Sequence, residues 1–206
     1  MPESALIGRS SSHYTRVARL FALELAVPHV FRPVLDMTTH DTGAYGDNPA
    51  LKMPVWYDER GSLFGLENIC RELARRSPER ERIVLRGDSP DRLVANAEEL
   101  AVHAMSSEVI LIMNALAGPS QLEPPKVRTS MLNALAFLDA NLSAVLAALP
   151  SDRRISFCEA ALFCVLTHLP FRQVADVSGY PNLARFSAEF GQRASARATE
   201  YRFDAP

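Results

Sequence analysis

The sequence changes its pattern once. Up to about Arg76, short apolar runs alternate with amphipathic ones, and after Pro90 every apolar run has helical spacing. Between them lies RSPERERIVLRGDSP, charged and carrying two prolines, the natural place for a linker. A chain of 206 residues that switches in this way is restricted to a small α/β layer followed by an all-helical unit. Two domains are therefore expected, over residues 1–76 and 90–206, with a solvated linker over 77–89.

Within the first part, ALIG (Ala5 to Gly8) is a strand candidate. RSSSHYTRVARLFALELAV then sets Ala18, Phe21, Ala22 and Leu25 on one helical face, with Ser12 as N-cap and Pro28 as the stop. HVFRPVLDM is a second strand in which Pro33 marks an edge or an end. After the polar loop TTHDTGAYGDNPALK, the run MPVWYDERGSLFG reads as a hairpin turning at Asp58 to Gly61. A helix from Leu66 to about Arg76 closes a βαβ unit followed by ββα. In the second part, Ser89 and Pro90 fit an N-cap and a first helical residue, opening a helix that runs to Gly118. PPKVRTSMLNALAFLDANLSAVLAALP puts Met131, Leu135, Leu138, Leu142, Val145 and Leu149 on one stripe, and Pro150 ends it. Ser156 and Glu159 form a capping box before SFCEAALFCVLTHL, and a last helix follows Tyr180-Pro181.

Composition narrows the function classes. A net charge of −2 leaves no basic footprint for nucleic acid and no polybasic membrane patch. The cysteines, Cys70, Cys158 and Cys164, are odd in number, and neither they nor the histidines show metal-ligand spacing. That argues for a reducing compartment and against a disulfide framework or a zinc site. The five histidines read as surface or satisfied core residues. MPESALIGRSS lacks the pattern of a signal peptide, and the apolar stretch around Val109 to Leu116 is too short and interrupted to span a bilayer. The expectation is a soluble, cytoplasmic protein with no metal, nucleic-acid or membrane partner.

Four segments, in this order, resemble the cytosolic glutathione transferase superfamily, in its bacterial, serine-type form. SHYTRVARLFALEL is similar to that family's first-helix entrance, and NPALKMPVWYDERGSLF to the segment around its cis-proline. Ser156 with Glu159 sits where the family has an N-cap important in folding, and YPNLARFSAEFGQRASARAT is similar to its shared tail. The resemblance implies a thioredoxin-like first domain, a helical-bundle second domain, and glutathione as co-substrate with a small hydrophobic electrophile. It implies a homodimer formed by the helices on either side of Gly118. It places Ser12 at the thiol-activating position, where a hydroxyl at a helix start can stabilise a thiolate. Ser12 as a plain N-cap and Ser11 as the activating residue both stay open. The resemblance also makes Met53-Pro54 cis, leaving the Met53 main chain to pair with the cysteinyl part of a peptide ligand.

One stretch departs from the family. In SLFGLENICREL the places that hold an acidic or amide residue and then a serine or threonine, binding the glutamyl end of glutathione, are taken by Gly65 and Leu66. Slipping the motif to Glu67-Asn68 fails, because Arg71 then falls where a buried residue is needed and the fit of Ile69 is lost. What remains is a helix start whose Leu66 and Glu67 N–H groups can receive a carboxylate, with Glu67 the nearest candidate for the ammonium. Losing one charge-assisted hydrogen bond is worth on the order of 1.5–3 kcal/mol. Three readings follow: a weakened glutathione transferase, a catalytically silent module of the same fold used for binding or assembly, or an enzyme taking a different thiol or a non-peptide ligand.

Overall fold

The structure is a computed structural model that describes residues 4–118 and 124–205. Strand β1 (Ala5–Gly8) is buried along its whole length because it is central. Strand β2 (Val30–Pro33) lies parallel on one side of it, β3 (Val55–Asp58) antiparallel on the other, and β4 (Gly61–Phe64) completes the order β2-β1-β3-β4. Pro33 ends β2 at the sheet edge, where its missing N–H spoils no ladder.

Alternation along the strands sorts the two faces. Leu6 and Trp56 point to the face covered by α1 (His13–Glu24) and α2 (Leu66–Arg76), packing with Val17, Leu20, Phe21, Ile69 and Leu73. Ile7 and Val55 point the other way, to a smaller cluster with Val34 and Tyr45, the last from a 3-10 turn over Thr42–Tyr45. That turn lies inside what the sequence presents as a plain loop.

The second domain is helical: α3 (Arg92–Leu116), α4 (Pro125–Ala148), α5 (Phe157–Phe171), α6 (Pro181–Phe190) and α7 (Ala194–Ala198). Helix α5 is apolar all round and buried from Phe157 to Leu169 apart from Thr167, as befits the central helix of a bundle. By length and composition α3 and α4 could each cross a membrane, which the short run Val109 to Leu116 does not reveal. In the fold they pack inward through Val94, Ala101, Met105, Leu135, Leu138 and Leu142.

Two details differ from expectation. Helix α3 is capped by Asp91, whose carboxylate accepts the N–H groups of Leu93 and Val94 at 2.7 and 3.2 Å, while Ser89 only accepts from Asp91. A carboxylate in reach of two first-turn donors outcompetes the Ser-Pro pair. The stretch over 77–89 is also not wholly solvated. Its Ile83–Val84 forms β5, buried and paired in parallel with β6 (Ile155–Ser156). This pair stitches the segment after α2 to the entrance of α5.

Candidate functional site

The register of the sheet assembles the site. Ile7 pairs with Val55 and Val55 with Phe64, so the end of β1, the start of β3 and the end of β4 lie level with one another. Residues 8–12, 53–54 and 65–67 therefore all leave the sheet from the same end. Segments far apart in sequence meet there because of strand pairing alone.

Ser12 caps α1: its Oγ accepts the Thr15 N–H at 3.2 Å. The cap uses a lone pair, and among the described residues no acceptor takes the hydroxyl hydrogen. N-capping and hydrogen-bond donation to a ligand are thus compatible at this residue. Ser12 is half-buried, whereas Ser10 and Ser11 are buried. The Ser10 N–H is held by Asp204 at 2.8 Å, and the Ser11 carbonyl is taken by His168. Tyr14 is half-buried on the same helix; burial, then the Glu108 charge, raises its phenol pKa.

The Met53–Pro54 peptide is cis, and Met53 precedes β3, half-buried outside the ladder. At the third segment, Gly65 caps α2 with φ 88°, a left-handed value that suits glycine, and supplies no side-chain cap. The first intrahelical bond is Ile69 N–H to the Gly65 carbonyl, which leaves the N–H groups of Leu66, Glu67 and Asn68 without an acceptor among the described residues. Asn68 turns away, donating its amide to the Phe64 carbonyl at 3.0 Å. Leu66 is buried under the sheet. Glu67 does not fold back over the helix start; it pairs with Arg86, which also holds Glu99 of α3.

Sequence reasoning missed two sets of residues beside this site. Arg16, buried on α1, donates to Thr167, Ala196 and Thr199 at 2.9, 3.0 and 3.3 Å and lies over the Phe163 and Tyr201 rings. The only local signal was a cation on the helix face that carries Leu20. Its partners stand 151, 180 and 183 residues further on. The second set is His13, Glu108 and His168, brought together from α1, α3 and α5 in full burial. The three cysteines are free and buried; burial pushes the Cys158 and Cys164 thiols up to about 12, and Cys70 higher still. None is a nucleophile at neutral pH.

Two surface clefts open elsewhere, one beside Asp58, Arg60 and Arg71, the other beside Arg16, Phe171 and Tyr201. Neither is lined by Ser12, Met53 or Gly65.

Residues 6–81 match the family described as glutathione S-transferase, N-terminal domain. Among solved structures, a glutathione transferase family member from Pseudomonas fluorescens Pf-5 with bound glutathione is 25% identical, aligns over 97% of this chain and 99% of its own, and gives a TM-score of 0.82. A glutathione S-transferase from Methylobacillus flagellatus KT with GSH bound is 24% identical over 97% of this chain and 100% of its own, with a TM-score of 0.81. One from Methylobacterium radiotolerans JCM 2831, in complex with glutathione sulfonate, is 21% identical over 98% and 97%, with a TM-score of 0.74. No curated protein matches the sequence.

Proposed function

Because this chain belongs to the cytosolic glutathione transferase superfamily, we propose that it binds glutathione and readies its thiol for attack on a small apolar electrophile. The observation that carries this reading is the common level of Ile7, Val55 and Phe64, which brings a helix-start hydroxyl, a main chain outside its ladder and three free N–H groups to one end of the sheet. Ser12 Oγ–H would stabilise the thiolate, the Met53 main chain before Pro54 would pair with the cysteinyl backbone, and the N–H groups of Leu66 and Glu67 beyond Gly65 would receive the glutamyl carboxylate. Glutathione is thus a co-substrate, and α3 with its neighbours would line the apolar half of the cleft. Contact between two copies through α3 and α4 would make a homodimer, and three buried free thiols suit a reducing cytoplasm. The domain limits 1–76 and 90–206 belong to the same proposal.

A second reading, a silent module of this fold, is favoured by one observation: Glu67 turns to Arg86 and not back over the α2 start, so no acid stands beside the open N–H groups to meet the ligand's ammonium. Calorimetric titration with glutathione and with S-hexyl-glutathione separates the two. Binding that is lost in Gly65→Trp and a thiol-transfer rate that falls in Ser12→Ala support the transferase. No heat and no thermal shift at about 10 mM ligand would sink it, since even a tenfold excess over Kd stabilises by about 1.4 kcal/mol.

A further inference from the structure

His13, Glu108 and His168 stand on α1, α3 and α5, with side chains 2, 0 and 3% exposed. At that depth each polar atom should have a partner. His168 Nε2 lies 2.8 Å from the Ser11 carbonyl oxygen. A carbonyl only accepts, so Nε2 carries the hydrogen, and in the neutral ring Nδ1 holds a bare lone pair. That nitrogen is 2.7 Å from Glu108 Oε1 and 2.9 Å from His13 Nδ1. His13 Nδ1 is in turn 3.5 Å from Glu108 Oε2.

Protons do not settle this arrangement. An imidazole nitrogen has either one in-plane lone pair or one hydrogen, so His168 Nδ1 can serve one of its two neighbours well and not both. A proton on His168 satisfies Glu108 and leaves His13 Nδ1 sharing it; a proton on Glu108 competes with His13 for a single lone pair. Meanwhile Glu108 Oε2, aimed into the cluster, has no hydrogen-bond partner among the described residues.

We propose that His13, Glu108 and His168 bind a divalent first-row transition cation through two imidazole nitrogens and a carboxylate oxygen. A cation takes all three lone pairs at once. The candidate ligand atoms approach one another to 2.7, 2.9 and 3.5 Å, near the roughly 3.3–3.6 Å that separates tetrahedral ligands about 2.0–2.2 Å from a zinc-sized ion, so the two shorter pairs need open only slightly to admit it. Two nitrogens and one oxygen suit zinc or iron and not magnesium or calcium, which take oxygen alone. The Ser11 carbonyl then has the part of an outer group that fixes the tautomer and tilt of a metal-bound histidine. The ion would join the first domain to the second one residue before Ser12. The site is independent of any thiol chemistry, and separations of 155 and 60 residues hid it from spacing rules.

Untagged full-length protein, stripped by a chelator, given zinc and gel-filtered, should retain one zinc per chain. X-ray absorption on that sample should show two imidazoles and only oxygen besides. Glu108→Gln should hold zinc at least about tenfold more weakly. Failure to retain zinc at micromolar free metal overturns the proposal and returns the cluster to shared protons. Sulfur in the coordination shell, or zinc held as tightly in both Glu108→Gln and His168→Ala, overturns it by placing the ion elsewhere. The absorption spectrum reads the unaltered protein, so it decides even where a variant does not fold.

Discussion

At the start of α5 the cap is built from side chains. Ser156 Oγ accepts the Glu159 N–H at 3.2 Å and donates to the Glu159 carboxylate at 2.6 Å, and Arg153 clasps that carboxylate with two bonds of 2.7 Å. At the start of α2, Gly65 offers no side chain, and three N–H groups have no acceptor among the described residues. Both ends carry the same positive dipole. The buried one is capped by its own side chains, because an unpartnered hydroxyl or carboxylate there would cost the fold. The other faces outward, where an open donor costs little and is available to an anion.

Substitutions at the two starts should therefore behave differently, and the largest effect is at α5. Glu159→Ala strands the Arg153 guanidinium and the Ser156 hydroxyl near the core, and should lower stability by about 3 kcal/mol in urea unfolding. A loss below about 1 kcal/mol, the range of a surface pair, would break the comparison. The same carboxylate gives a pH signature. Burial alone would raise its pKa, but Arg153 and Ser156 outweigh burial and hold it below the ordinary 4.5. A depressed folded value means the stabilisation is complete above the unfolded value and fades as the pH falls through the folded one. The stability gap between the wild type and Glu159→Gln should accordingly be full near neutrality and close in acid below 4.5. At α2, Gly65→Ala meets ordinary contact with Asn68 at 3.5 Å, so only the backbone at φ 88° objects. Its cost should be about 1 kcal/mol in the same assay. Smallest of all, Glu67→Gln loses a partly exposed pair with Arg86 and should change stability by less than about 0.5 kcal/mol.

What the sequence showed and hid follows from the range of the interactions. ALIG, the hairpin around Asp58 to Gly61, the helix Leu66–Arg76 and the caps Ser12 and Ser156 were legible, because each is written within a few neighbouring residues. The start of α3 was displaced from Ser89 to Asp91, a contest between adjacent caps that local preference ranks poorly. Ile83 and Val84 were masked by the charged residues on either side of them, and only their pairing with Ile155 and Ser156 makes them a strand. Of the candidate site, Ser12, Met53 and Gly65 could be named from a resemblance. The fate of Glu67 could not, since Arg86 lies beyond the helix, in the charged stretch over 77–89.

Ser156 has two duties: it ends β6 opposite Val84 and it caps α5. The contact that holds the inter-domain segment is thus also the first residue needed to start the central helix of the bundle. Undocking the domains and unravelling α5 then become one event, so the protein should melt as a single cooperative unit with one calorimetric peak. Two lobes joined at this seam have no separate lives; a cut there leaves neither half whole.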